Sequence, residues 1–464
     1  MHKVVLIAFF ICFLLSIHVN SQVPHLQGKI KISITNGTID ADLTLNNLPS
    51  TNDYSIWLNA GLNIEYFRDL YKDVNYTYNT EYKPEQSSEA FQHYFPSNDQ
   101  KTRFLPAGFN IKYMGKFPVI RDTSKAYTWG DWKGNIAFNG RTLRASEQSA
   151  WYPIIYDKRQ DLIINKYTYT IEVECLDGET IYLNGDVPKS VKKGIFESKE
   201  AVALLLFSGI YDYIKTDSIY VLNSTLTGQK LKTLTNTTNK IIDFYEQILN
   251  TKYGKPVVYL SSTPVSKKNE WMFVTYPTVA VIGINQYKLD NYFDDATGYF
   301  KEKSNITFIA HELGHYYFGT KFVPNNTLRW FFLEGMADYL SIKAAKQILG
   351  DVEYKKIINS YIKMLDTFVP IQLNKITSPN EINETFRYRF APLLLIAIEK
   401  KIGEKKMQDW LRLLVQTKNT VTNYEFMIAS LSQIVKSEEL MNEILNNFII
   451  SHEAKQNILK YLSE

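Results

Sequence analysis

Two histidines and two glutamates are spaced as the ligands and the base of a catalytic metal site would be. His311, Glu312 and His315 form a His-Glu-x-x-His motif, and Glu334 follows His315 after eighteen intervening residues. Residues four apart lie on one face of a helix, so both imidazoles could point at one ion while Glu312 faces a water on that ion. A catalytic zinc takes three protein ligands and leaves one position for water. The pattern therefore predicts a Zn²⁺ site on His311, His315 and Glu334.

The residues around the motif bear on a simpler alternative, in which the histidines are partly exposed and the glutamate is solvated. Apolar and aromatic residues flank the motif on both sides: Ile306, Phe308, Ile309 and Ala310 before it, and Tyr316, Tyr317 and Phe318 after it. This composition predicts a helix buried on most sides, where a glutamate between two histidines needs partners. For Glu334 the alternative is a core carboxylate paired with a different cation.

Asp338 stands four residues after Glu334 and would share its helix face. Metal-bound histidines usually donate their second ring N–H to a carboxylate, and Asp338 is the predicted acceptor for His311. A solvated or helix-capping aspartate is the alternative interpretation of this residue.

The motifs together resemble the gluzincin aminopeptidases of the aminopeptidase N and leukotriene hydrolase type. The resemblance rests on the motif spacing and on the context Trp330-x-x-x-Glu334-Gly-x-Ala, and it covers residues 235–450 well and 22–230 faintly. It implies zinc ligands at His311, His315 and Glu334, with Glu312 as the general base. The segment that begins at Tyr388 is similar to the family's Tyr-x-x-Gly/Ala element, whose tyrosine stabilises the oxyanion. An ordinary core tyrosine is the alternative for Tyr388.

One departure from the family pattern concerns recognition of the substrate's amino group. The aminopeptidases carry a Gly-x-Met-Glu-Asn strand before the histidine motif, and its glutamate binds the free α-amine. In this sequence the corresponding place is expected at residues 280–288, which suit an edge strand along the cleft and in which Gln286 is neutral. Either another acid replaces the glutamate, with Glu147 as one possibility, or the amine is not recognised. A solvated loop glutamate is the alternative for Glu147.

The elements that must position these residues predict an α+β protein. Alternating strands flank an Asn36-Gly37 hairpin signal, so residues 22–235 are expected to form an antiparallel β domain with a helical insertion near 64–72. A polar linker is expected at residues 233–239. Residues 236–464 are expected to form a thermolysin-like, mainly helical catalytic domain with closing C-terminal helices. No counterpart of the family's large C-terminal helical domain is expected here, which predicts a more open cleft that admits longer peptides.

The first 21 residues are predicted to be a signal peptide, because Lys3 precedes a run of about sixteen mostly apolar residues that ends in small residues. Export to the periplasm, the extracellular space or a secretory lumen is expected, and an uncleaved membrane anchor is the alternative. After cleavage Cys175 is the single cysteine, so no internal disulfide is expected.

Charge and composition limit the function further. The net charge is +4 and no basic cluster with interleaved aromatic residues occurs, so no nucleic-acid partner is expected. The sequence predicts a zinc metallopeptidase that acts on peptide substrates, aminopeptidase-like or an oligopeptidase. The rivals are a zinc hydrolase of a non-peptide substrate and a non-catalytic zinc-binding module.

Overall fold

The computed structural model describes residues 23–83, 89–99, 101–123, 131–266, 271–282, 288–418 and 420–463. The predicted signal peptide lies outside these residues, as does Gln286. No helix within the described ranges is long and apolar enough to cross a bilayer. Cys175 is a free, buried thiol.

A six-stranded sheet forms the outer layer of the N-terminal half, with the spatial order β14-β12-β1-β2-β7-β4. Its strands are β1 (His25–Ser33), β2 (Thr38–Asn46), β4 (Leu62–Asp69), β7 (Phe109–Lys116), β12 (Lys166–Cys175) and β14 (Lys193–Ala203). Alternate residues of β2 are buried, as the sequence pattern predicts for a sheet with one face on the core. The Asn36-Gly37 turn joins β1 to β2, and Gly37 has a positive φ of 67°.

Two further sheets complete this half, with the orders β11-β10-β3-β6-β5 and β13-β15-β9-β8. Their strands are β3 (Tyr54–Asn59), β5 (Asn79–Glu81), β6 (Ala90–Tyr94), β8 (Ala137–Phe138), β9 (Thr142–Ala145), β10 (Ile154–Asp157), β11 (Leu162–Ile164), β13 (Thr180–Leu183) and β15 (Leu206–Gly209). The expected helical insertion near 64–72 is wrong, because most of that segment is β4. Paired with β7, this strand buries Phe67.

The second half begins with a mixed sheet of order β16-β17-β18-β20-β19 beside a long helix. These elements are β16 (Tyr213–Lys215), β17 (Ile219–Leu222), α1 (Gly228–Leu249), β18 (Val257–Ser261), β19 (Trp271–Thr275) and β20 (Thr278–Ile282). The predicted polar linker at 233–239 is wrong, since these residues lie inside α1, where its threonines are mostly buried or bonded to the helix. The boundary at residue 235 stays a prediction, although β16 and β17 join the sheet that follows it.

The remainder of the chain is helical. Its helices are α2 (Ser304–Gly314), α3 (Met336–Leu349), α4 (Asp351–Met364), α5 (Ala391–Ile402), α6 (Glu404–Gln416), α7 (Tyr424–Val435), α8 (Glu438–Ile444) and α9 (Ala454–Ser463). Helices α2 and α3 pack closely where Gly314 contacts Ala337. A Cβ on Gly314 would lie only 3.3 Å from Ala337 Cα. The predicted α+β class is confirmed.

The β half contacts the helical half next to the histidine motif. Lys166 of β12 donates to the carbonyls of Gly319 and Thr320 at 3.0 Å, just beyond the end of α2. Asp161, in the turn between β10 and β11, accepts from the backbone N–H of Asn326 at 3.1 Å. These bonds hold the loop between α2 and α3 against the β half.

Candidate active site

The histidine motif lies at the C-terminal end of α2. His311 and Glu312 occupy its last turn, and His315 is the residue at its C-cap with helical dihedral angles. The two imidazole rings lie 4.7 Å apart and nearly perpendicular. The prediction that α2 is buried on most sides is confirmed, with His311 8% and Glu312 5% exposed.

Glu334 and Tyr388 each lie in a π-helical turn, a feature that the sequence analysis did not foresee. The first turn spans Phe331–Gly335 and leads into α3, and the second spans Phe386–Phe390 and leads into α5. The turns pack together closely, since a Cβ on Gly335 would lie 2.9 Å from Ala391 Cβ. Such turns widen a helix locally and recur at functional sites. Here they bring a carboxylate and a phenol from distant segments to the same place.

Three potential ligand atoms converge, one each from His311, His315 and Glu334, all within 4.8 Å of one another. Glu334 Oε2 lies 3.2 Å from His311 Nε2 and 3.4 Å from His315 Nε2. Burial alone would raise the pKa of Glu334, but the two histidines hold that pKa well below its usual range. Two imidazoles and one carboxylate are the donor set of catalytic zinc sites, so these residues fit Zn²⁺ and would hold it.

Glu312 lies beside this cluster. Burial raises the pKa of Glu312, while the neighbouring histidines and, more weakly, the Lys133 ammonium act in the opposite direction. A glutamate with a raised pKa is suited to accept and return a proton near neutral pH.

Asp338 lies at the start of α3, behind His311. Its Oδ1 is 3.4 Å from His311 Nδ1, and its Oδ2 accepts from the Tyr361 hydroxyl at 2.9 Å. Burial would lower the pKa of His311, but Asp338 and Glu334 together raise it well above its usual value. Asp338 is only 7% exposed, which disfavours the alternative of a solvated residue. His315 has no such support, since its Nδ1 is buried without a partner among the described residues.

Tyr388 faces the same cluster from the second π-helical turn. Its ring centroid lies 5.9 Å from that of His311. Burial, and then the Glu334 carboxylate, raise the pKa of Tyr388, so the phenol keeps its proton and can donate it in a hydrogen bond. The structure thus brings together all the predicted site residues: His311, Glu312, His315, Glu334, Asp338 and Tyr388.

The prediction of an edge strand at 280–288 is wrong for residues 280–282, and residues 283–287 lie outside the described residues. Strand β20 covers the start of that segment and is an inner strand, paired with β18 on one side and β19 on the other. Strand β19 is the edge strand and packs against α2. The order of the sheet, in which β19 lies outside β20, depends on pairing between segments and has no local signal in the sequence. In the sequence, Glu270 directly precedes β19, but it lies outside the described residues.

Glu147 lies against β19 and is not a solvated loop residue. Its Oε2 accepts from Thr275 Oγ1 of that strand at 2.8 Å, and its side chain is 12% exposed. Lys133, which the sequence analysis missed, lies 2.5 Å from Glu147 Oε1 and donates to Val274 O at 2.8 Å. No short motif marks Lys133, because it reaches the cleft only through the tertiary fold.

The three candidate metal ligands lie on two neighbouring helical segments, with a mixed sheet on one side and a β-rich half before them in the chain. Residues 233–449 match the Peptidase family M1 domain. This match confirms, for these residues, the resemblance to the aminopeptidase N and leukotriene hydrolase type.

Curated relatives match over part of their length. "Probable aminopeptidase 1" of Saccharolobus solfataricus is 24% identical over 254 residues, which cover 51% of this chain and 30% of that protein. "Leucyl aminopeptidase" of the same organism is 24% identical over 184 residues, 36% of this chain and 22% of that protein. The chain thus spans less than a third of the length of these relatives.

Solved structures share the fold over most of the chain. Leukotriene A4 hydrolase from Saccharomyces cerevisiae has a TM-score of 0.65 at 15% identity, covering 91% of this chain and 66% of that one. An M1 zinc metallopeptidase from Deinococcus radiodurans, solved with a Tyr-Ser-Ala substrate, has a TM-score of 0.63 at 12% identity and covers 91% and 93%. At these identities the likeness establishes the two-part fold.

Proposed function

We propose that this protein is a zinc-dependent peptidase, aminopeptidase-like or an oligopeptidase, that hydrolyses peptide bonds with activated water. The observation that carries the proposal is the convergence of His311, His315 and Glu334 with Glu312 beside them. A purely structural zinc site would favour four protein ligands and would have no use for a buried glutamate next to three. The aminopeptidase names of the matched relatives agree with this chemistry.

His311, His315 and Glu334 would hold Zn²⁺, which when bound would polarise the scissile carbonyl and make water a stronger acid. Glu312 takes the proton of the attacking water and passes it to the leaving amine. Tyr388 donates a hydrogen bond to the oxygen that gains negative charge. Asp338 fixes the ring orientation of His311.

The peptide enters along edge strand β19 in this proposal, because an edge strand offers free backbone groups to an extended chain. Glu147 stands beside that strand, where a carboxylate could meet an α-amine, but Lys133 already pairs with it. Because Lys133 pairs with Glu147, we infer that Glu147 does not bind the α-amine of the substrate.

The deciding experiment is digestion of a mixed peptide library, half of it N-terminally blocked, with products identified by mass spectrometry. Zinc-loaded protein is compared with Glu312→Gln and with the exposed-site control Glu302→Gln. Ladders from free N-termini alone would identify an aminopeptidase, and internal cuts indifferent to blocking would identify an oligopeptidase. A lack of cleavage by zinc-loaded protein would refute the proposal and favour a non-peptide substrate or a non-catalytic zinc module.

We propose further that the protein is exported, on the basis of the leader-like sequence of residues 1–21. Mass measurement of the protein purified from its native secretory fraction tests this. A new N-terminus at Gln22 supports cleavage, and a full-length membrane-bound chain would indicate a retained anchor.

A further inference from the structure

Two arginine side chains, Arg329 and Arg387, lie next to the proposed catalytic site. The Cζ atoms of Arg329 and Arg387 lie 5.0 and 4.5 Å from the ring centroid of Trp330. In the part of the chain that the structure describes, no side-chain hydrogen bond or ion pair within 4.0 Å involves either guanidinium. Arg387 Nε is itself buried and without a partner. Trp330 thus has two arginines stacked on it whose N–H groups are unused.

Among the described residues the exposed Arg159 is also unpaired, but Arg329 and Arg387 are partly buried, and the other partly or fully buried arginines have acceptors. Arg144 is fully buried and donates to Asp131 at 2.9 Å and to Ser262 at 3.0 Å. Arg103 binds Glu81 at 2.9 Å, and it also stacks on a tyrosine. Folded proteins rarely bury an unpaired guanidinium, so each exception calls for an explanation.

The unpaired arginines adjoin the reacting groups. Trp330 directly precedes the π-helical turn of Glu334, and the Cζ of Arg387 lies 5.8 Å from the ring centroid of Tyr388. Arg329 lies close enough to Glu334 and Asp161 for both carboxylates to raise its pKa, although burial is the larger influence and lowers it. Asp161 accepts instead from the Tyr156 hydroxyl at 2.9 Å and from Asn326 N–H at 3.1 Å, and it forms no ion pair with Arg329 within 4.0 Å.

The contacts with Trp330 explain where the guanidinium groups of Arg329 and Arg387 lie, but they do not use the N–H groups. A cation over Trp330 uses the face of the guanidinium and fixes its plane. The N–H edge then remains available, and its fork geometry matches a carboxylate with two parallel hydrogen bonds. The nearby protein carboxylates are committed to the metal cluster or to other donors. A negatively charged ligand in the cleft would therefore find two oriented cations.

We propose that Arg329 and Arg387 form a carboxylate-binding subsite beside the catalytic groups, which selects peptide substrates carrying a negative charge near the scissile bond. The inference rests on the proposed peptidase function. The carboxylate belongs either to the C-terminus of a short peptide or to an aspartate or glutamate side chain. Arg329 and Arg387 determine specificity here and take no part in bond cleavage.

The test measures binding, so that it does not depend on turnover. Zinc-loaded Glu312→Gln protein is titrated by calorimetry with tripeptides that differ only in a C-terminal carboxylate or carboxamide. A second pair has a carboxamide terminus and carries glutamate or glutamine at the last position. In at least one pair the acid should bind about tenfold tighter than the amide. The pair that shows the preference identifies the source of the carboxylate.

Arg387→Gln and Arg329→Gln, each added to the Glu312→Gln protein, should reduce this preference to within about twofold while leaving amide binding unchanged. Arg68→Gln is the matched control, because Arg68 also stacks on a tyrosine but lies in the outer sheet. A preference that survives both replacements would mean that the carboxylate binds the metal directly, and it would overturn the proposal. Equal binding of acid and amide to the parent protein would overturn it too, whether or not the arginine variants fold. If the Glu312→Gln protein prefers the acid but the wild-type enzyme cleaves no peptide, the carboxylate subsite stands and the proposed peptidase function fails.

Discussion

Lys133 and Glu147 form a buried ion pair against the edge strand of the proposed cleft, with Nζ and Oε1 2.5 Å apart. Lys133 also donates to the carbonyl of Val274, and Glu147 accepts from Thr275, so both residues are bonded to β19. The side chains are 9% and 12% exposed. An ammonium group of the protein therefore occupies the carboxylate that could otherwise bind a substrate amine.

Replacing Lys133 should change the preference for free N-termini. In Lys133→Met the Glu147 carboxylate loses its partner, and a substrate α-ammonium can take the vacated position. We expect kcat/KM for free-amine peptides to rise about tenfold relative to N-acetylated ones. The ratio is measured on matched peptide pairs, with Lys112→Met, which breaks an exposed pair with Glu65, as control. An unchanged ratio would show that Glu147 does not meet the substrate amine.

Glu312→Gln should abolish turnover and leave the metal in place. The amide is close in shape to the carboxylate but cannot accept the proton of water, so kcat should fall by about a thousandfold or more. Zinc content is measured by atomic absorption on the same preparations, and Glu302→Gln should behave as wild type. Retained turnover, or loss of zinc together with activity, would contradict the assigned role.

Asp338→Asn should weaken zinc binding by about 10- to 100-fold, because the amide supports His311 less well than a carboxylate. Chelator competition gives the dissociation constant. Tyr361→Phe removes only the hydrogen bond to Asp338 and should produce a smaller change in the same direction. Equal zinc affinity in wild type and Asp338→Asn would mean that Asp338 has a structural role only.

Tyr388→Phe should lower kcat by about 100- to 1000-fold with little change in KM, because the lost hydrogen bond forms mainly in the transition state. Zinc content should not change. Steady-state kinetics on one peptide substrate provide the comparison, and the exposed Tyr299 supplies a Tyr→Phe control. A rise in KM at constant kcat would instead place Tyr388 in ground-state binding.

His93 should make stability depend on pH. Burial lowers the pKa of His93 to about 4, and its Nδ1 lies 2.9 Å from Thr80 Oγ1. Between pH 6.5 and 4 the unfolded chain binds a proton that the folded one does not. The stabilisation is therefore complete above pH 6.5 and is lost as the pH falls toward 4, by up to about 3 kcal/mol.

Urea unfolding of wild type and His93→Gln at pH 7 and pH 4.5 measures this effect. The stability of the wild type should fall more than that of the variant over this interval. His452→Gln, at an exposed position, should follow the wild type. Parallel losses in wild type and His93→Gln would assign the acid sensitivity to other groups.

Local patterns made several features predictable. The spacing of His311 and His315 required only one helical turn, and the Asn36-Gly37 hairpin required only its own turn residues. The polar linker was predicted wrongly because its threonines are typical of loops. Inside α1 the hydroxyls of Thr235 and Thr238 donate hydrogen bonds to backbone carbonyls one turn earlier. The edge strand was misplaced because sheet order depends on pairing between distant segments, and local patterns do not encode it.

The candidate ligands His311 and His315 and the candidate base Glu312 could be predicted from the sequence, because helical periodicity places them together regardless of what surrounds them. Three relationships could not be predicted: which strand borders the cleft, the pairing of Lys133 with Glu147 there, and the stacking of Arg329 and Arg387 on Trp330. Those relationships join segments far apart in the chain. They arise from close packing and from the pairing of buried charges, which act between whichever groups the fold brings into contact.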